Sequence, residues 1–170
     1  MRLIAITITV LAAAGFAESA NADDTPERSP ELQVLERFIG TWDSVVTNET
    51  TGAETSTIEE RRWSRKGQFV LSEDFDRLTK KEAHFLMTYD PNAKVYRTCF
   101  ITEGSVAIIL GTWDEDNDTM TWSGTDSAGN RLSGKSRFIV KDHVEWSMVF
   151  MNLAGKVVSE LDTKQSRRKT

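Results

Sequence analysis

The sequence predicts an all-β protein: a single antiparallel up-and-down barrel of about nine or ten strands with one short N-terminal helix. Three observations carry that expectation. Apolar residues recur with a period near 3.6 only between Leu32 and Ile39, and with a period of 2 from Gly40 onwards. Turn-forming residues return at short spacing, at Lys66-Gly67, Asp90-Pro91-Asn92, Asp114 to Asp118, Asp126 to Asn130 and Asn152 to Gly155. No helical pattern separates the strands, so their connections are hairpins. A meander of that length loses its exposed edges by closing on itself.

The elements follow in chain order. Met1-Arg2 supplies a positive start, Leu3 to Phe16 is uncharged and apolar, and Ala20-Asn21-Ala22 is a small-x-small cleavage site ahead of Asp23-Asp24. Residues 1–22 therefore read as a secretory signal peptide. The apolar run is shorter than the roughly 20 residues of a membrane span, and no later segment comes close. Residues 23–30, polar and containing Pro26, read as a linker. Ser29 suits an N-cap with Pro30 at the first helical position, and Leu32, Leu35, Phe38 and Ile39 share one face of a helix ending at Gly40. Two turns of helix are not stable alone, so that stripe must dock on something; the helix is expected to close one end of the barrel, with Trp42 plugging it against Leu35 and Phe38.

The barrel is assigned to residues 31–165. Within it Trp42, Ser44 and Val46 alternate with Asp43, Val45 and Thr47, and Met120 and Trp122 with Thr119, Thr121 and Ser123. Val144, Trp146, Met148 and Phe150 alternate with His143, Glu145 and Ser147, and Val157, Ser159 and Leu161 form the last strand. Phe69, Leu71, Glu73 and Phe75 alternate with Val70, Ser72, Asp74 and Asp76; the apolar set is assigned to the interior. Ala83 to Tyr89 and Val106 to Trp113 are apolar on both faces, which predicts an outer cover, the helix being the available one. Residues 166–170 read as a basic, solvated tail.

Composition narrows the function classes. Cleavage after Ala22 leaves about 148 of the 170 residues, enough for one core. The single cysteine, Cys99, forms no internal disulfide, so packing alone holds the fold. A net charge of −5 argues against nucleic acid, which needs a concentrated positive footprint.

Phe38-Ile39-Gly40-Thr41-Trp42, a short helix running into Gly-x-Trp, resembles the entrance to lipocalin-like (calycin-like) barrels. The later order narrows the likeness. Trp63 leads to Gly67-Gln68-Phe69 and Glu73, then to Tyr89-Asp90-Pro91 with Lys94 and Tyr96. Gly111-Thr112-Trp113-Asp114 then precedes Met120-Thr121-Trp122-Ser123-Gly124. From about Glu31 to Thr163 the chain is similar to an exported bacterial family of barrel domains of unknown function. The resemblance implies architecture and a bacterial, periplasmic or extracellular location, and it carries over no catalytic residue. The glycosylation patterns at Asn48 and Asn117 then imply no glycan.

Candidate sites were weighed on their chemistry. Asp114-x-Asp116-x-Asp118 has the odd-position spacing of a calcium loop, but Thr119 and Thr125 stand where the glycine and the bidentate acid belong, which leaves an acidic hairpin tip. His84 is the one candidate for a haem ligand, since His143 shares the polar face of its strand; no metal-ligand spacing exists. No nucleophile elbow or phosphate loop is present. Glu73 stands out, because it falls among residues assigned to the interior, where an unpaired carboxylate is unfavourable. It either meets an arginine such as Arg97 or Arg137, or anchors a ligand.

The reading is an exported barrel that binds a small, largely apolar molecule, lined by Phe69, Leu71, Phe75, Met120, Trp122, Trp146, Met148 and Phe150, with Glu73 as polar anchor. Two alternatives stand beside it. A barrel filled by its own side chains would be a structural or protein-interaction module, and an enzyme would gather polar groups around Glu73.

Overall fold

The computed structural model describes residues 28–76 and 79–169. The proposed signal peptide and most of the linker lie outside these described residues. Ten antiparallel strands close into a barrel in strictly sequential order. They are β1 (Gly40–Asn48), β2 (Ala53–Trp63), β3 (Val70–Asp76), β4 (Glu82–Asp90), β5 (Val95–Thr102), β6 (Ser105–Asp114), β7 (Thr119–Asp126), β8 (Arg131–Val140), β9 (His143–Met151) and β10 (Val157–Arg167). The last strand pairs with the first, from Trp42 opposite Arg167 to Asn48 opposite Leu161, and this ladder removes both edges. No helix among the described residues is long and apolar enough to cross a membrane.

The five sequence-assigned turns all fall between strands and are fastened as their residues dictate. Asp90 Oδ1 accepts from the backbone N–H groups of Asn92 and Ala93, Asp126 Oδ1 from those of Ala128 and Asn130, and Asn152 Oδ1 from those of Ala154 and Lys156.

Helix α1 (Pro30–Val34) starts where Ser29 Oγ accepts from the Leu32 N–H, and tightens into a 3₁₀ turn, Leu35–Phe38. Its stripe docks across one end of the barrel. Leu35 and Phe38 are buried there with Trp42, Val70, Met120 and Val144. Trp42 is fully buried, and its indole N–H donates to the Phe38 carbonyl at 2.9 Å.

The expected outer cover of β4 and β6 is therefore a correction. The helix closes the barrel end and leaves Leu86, Val106, Ile108 and Leu110 exposed on the outside. The basic tail is a second correction, because β10 continues through Arg167. Its guanidinium lies 4.2 Å from the Trp42 ring and donates to the carbonyls of Ile39 and Arg37. Arg168 pairs with Asp43, and its N–H donates to the Thr41 carbonyl. Arg167, assigned to solvent, thus clamps the helix to the barrel, and Arg168 ties the end of β10 to β1.

Candidate functional site

The helix end is packed, whereas the opposite half of the lumen is not. A cavity of about 190 Å³ lies between Phe38 and Trp122 on the helix side and the half-buried Phe85, Phe100, Phe150 and Leu161 on the other. Ten strands give the barrel a wider interior than the eight that side chains fill on their own.

Trp122 owes its place to its neighbours. It lies opposite Gly111 on β6 and Gly134 on β8, and a Cβ at Gly111 would stand 2.5 Å from the indole ring. With no side chain on that neighbour the ring lies across the strand, and its N–H donates to Ser136 Oγ at 2.9 Å. A side chain at position 111 would clash with the indole and with the Met120 sulfur.

One wall is polar, and it comes from β1, β2, β3 and β10. Ser44 Oγ and Gln165 Nε2 each donate to Glu59 Oε1 at 2.6 Å. Arg61 Nη2 donates to Glu59 Oε2 and, at 3.2 Å, to Gln165 Oε1. Glu59 is 4% and Arg61 7% exposed, so this ion pair is buried; Ser44, Gln165 and the pair's own contact satisfy the Glu59 carboxylate and Arg61 Nη2, while Arg61 Nε has no hydrogen-bond partner among the described residues. Beside it Ser72 Oγ donates to Asp74 Oδ1 at 2.6 Å, and Asp74 sits directly opposite Glu59 across the β2–β3 ladder. Burial first and the Glu59 charge second push the Asp74 carboxyl up to about 7, against the pull of Arg61 and Ser72. Below about pH 7, Asp74 is mostly a carboxylic acid able to donate a hydrogen bond.

The sequence-assigned residues divide accordingly. Trp122, Trp146, Met148 and Phe150 line the cavity, and Met120 is fully buried on the same inner face nearer the helix. Glu73, Leu71 and Phe75 are corrected to the outer face. β3 turns Val70 and Ser72 inward, because Val70 packs into the closed end between Trp63 and Met87 and Ser72 faces Arg61. The alternation then sends Leu71, Glu73 and Phe75 out. Glu73 is 58% exposed at its side chain and pairs with Arg62 at 3.0 Å, a different arginine from the two considered. Phe69 is half-buried in the β2–β3 connection, where its carbonyl accepts from the Ser64 N–H. His84 also points outward, 3.8 Å from Glu82, so it cannot hold a haem in the lumen. Asp118 pairs with Arg37 of the 3₁₀ turn at 2.9 Å, and Asp114 accepts from Asn117; the acidic hairpin tip fastens the helix.

Glu59, Arg61, Asp74 and Gln165 escaped the sequence reading, although a signal was present. Glu59-Glu60-Arg61-Arg62 is a pair of charge doublets on one strand. Whichever face points inward, a period of 2 places one glutamate and one arginine on it.

Among solved structures, the crystal structure of Rv2717c from M. tuberculosis is similar with a TM-score of 0.60 and 14% identity, covering 84% of this chain and 100% of that one. An S-type phycobiliprotein lyase, CPES, from Guillardia theta is similar with a TM-score of 0.58 and 13% identity, covering 84% and 95%. At such identities the likeness is one of fold. No curated protein matches the sequence. Residues 27–159, most of the barrel and its helix, match the family described as a protein of unknown function (DUF1579), and the chain belongs to that family.

Proposed function

We propose that this protein binds one small, largely apolar molecule in its lumen, with the ligand's polar end against Asp74, Arg61 and Gln165. The observation that carries the reading is an aromatic-walled cavity with a polar wall built from buried side chains that are hydrogen-bonded to one another. A barrel filled for stability alone has no need of a buried Glu59–Arg61 pair, since apolar residues of similar volume serve as well or better. The phycobiliprotein lyase of Guillardia theta shares this fold, which supports a lumen put to chemical use. We place the protein outside the cytoplasm, with its mature chain starting at Asp23; intact mass of the exported product tests this. The binding site is non-catalytic, its polar groups lying on one wall rather than converging on a reacting centre.

The test is titration with N-phenyl-1-naphthylamine, a neutral apolar fluorophore. We expect saturable binding of one molecule per chain, with energy transfer from Trp122 and Trp146. Leu132→Trp, which fills the cavity from β8, should abolish binding while the thermal melt stays cooperative. Binding unchanged in that variant places the fluorophore elsewhere and overturns the reading.

A further inference from the structure

We infer that the ligand's polar end is a positive charge, so that an apolar cation balances the second of the two carboxylates, Glu59 and Asp74, opposed on the polar wall; this rests on the ligand-binding reading above. Two carboxylates and one guanidinium share the polar wall. Glu59 and Asp74 are a directly opposed pair on the inner face of β2 and β3. Like charges so placed repel, and Arg61, engaged with Glu59 and Gln165, balances one of the two.

The rest of the surroundings cannot balance the other. Asp74 is faced by Glu59 and Arg61 from β2, and by Ala83 across the β4 ladder. From β4 to β10 the cavity wall carries no titratable side chain among the described residues. One positive charge is therefore missing whenever Asp74 ionises. In the empty lumen a proton supplies it, which accords with the raised carboxyl. A bound cation supplies it equally well and also lies among Phe100, Trp122 and Phe150 of the cavity wall, whose rings attract a desolvated cation. An anion, by contrast, would leave the lumen with an unbalanced negative charge.

A second, independent observation marks the wall as prepared for a polar guest. Thr98 Oγ1 is buried and has no hydrogen-bond partner among the described residues. Buried polar atoms are seldom left so. Thr98 lies in the cavity wall itself, and its hydroxyl oxygen can turn its lone pairs towards a cationic group.

Three probes of one shape separate the possibilities, each read by tryptophan fluorescence at pH 6 and pH 8 on the full chain. They are benzyltrimethylammonium, its neutral isostere neopentylbenzene, and anionic 3-phenylpropanoate. The cation should bind best at pH 8 and about tenfold more weakly at pH 6, where Asp74 keeps its proton in roughly nine molecules of ten. Calorimetry of the wild type in two buffers of different ionisation heat should show about one proton released per cation bound at pH 6. Asp74→Asn should weaken the cation and abolish its pH dependence. Should that variant fail to fold, the wild-type proton count decides alone. Neopentylbenzene binding as tightly as the cation at pH 8, a preference for the anion, or no proton release overturns the inference and leaves the ligand-binding reading standing. No binding of any probe, together with none of the naphthylamine, overturns both.

Discussion

The two ends of the barrel are made from the same ten strands and reach opposite outcomes. At the helix end, Trp42, Leu35, Val70 and Met120 are fully buried and leave no room. At the other end, Phe85, Phe100, Met148, Phe150 and Leu161 remain half-buried around open space. Strand period and composition hardly differ between the halves, so alternation does not explain the contrast. The cause is the segment from Ser29 to Phe38, which inserts Leu35 and Phe38 into one mouth and has no counterpart among the described residues at the other. A plugged end can be optimised for packing density, whereas an open end keeps unfilled volume for a guest.

The comparison is broken most directly at Trp42. Its indole packs beneath Leu35 and Phe38, donates to the Phe38 carbonyl and carries the Arg167 guanidinium on its face. Trp42→Ala should lower stability by an amount toward the top of the roughly 3–5 kcal/mol range for a buried tryptophan, read from urea unfolding. Cavity formation, a lost hydrogen bond and release of the helix clamp all act in the same direction. A loss below about 1 kcal/mol would show that the helix does not close this end.

Much of the closed end was legible from sequence, and the open end only in part. Ser29-Pro30 and the stripe to Phe38 announced the plug, and the runs Met120-x-Trp122 and Val144 to Phe150 announced inner faces, because apolar side chains dominate one parity of each strand. β3 defeats that rule. Its inner parity is Val70, Ser72, Asp74 and its outer parity Leu71, Glu73, Phe75, so hydrophobicity points the wrong way. The pairing that decides it, Asp74 against Glu59 and Ser72 against Arg61, is a tertiary fact. The expected outer cover of β4 and β6 failed for a related reason. Two-faced apolar strands imply a cover, but nothing local tells whether it lies over the wall or across the mouth.

Asp74 sharpens the comparison from the open end. Its carboxyl, raised from 3.8 to about 7 in the folded chain, holds a proton that the unfolded chain has already lost over that interval. Its contribution to stability is therefore fully present below about pH 4, falls as pH rises towards 7, and is flat above. Asp74→Asn does not titrate and is close to the protonated acid in shape. The variant should match wild type near pH 4 and exceed it at pH 8 in thermal melts. At 1.36 kcal/mol per pKa unit the gain is bounded at about 4 kcal/mol, and solvent reaching the half-buried carboxyl reduces it. A variant less stable than wild type at pH 8 would mean that the ionised carboxylate is already balanced in the lumen.

Glu73 should give the smallest effect, and it tests the face assignment on which the polar wall depends. On the outer row it is flanked by Glu60 on β2 and His84 on β4, and it reaches Arg62 at 3.0 Å with both side chains more than half exposed. An exposed pair of this kind is worth about 0–1 kcal/mol, and loss of the Glu73 charge also relieves its repulsion with Glu60. The two contributions oppose each other. Glu73→Leu should therefore change stability by less than about 0.5 kcal/mol in urea unfolding, and it should leave naphthylamine binding as in wild type. If Glu73 pointed into the lumen beside a buried arginine, the same substitution would strand that arginine at about 3–5 kcal/mol and alter the probe site. A loss of that size would reverse the parity of β3, turn Asp74 out to solvent and remove the second carboxylate from the wall of the cavity.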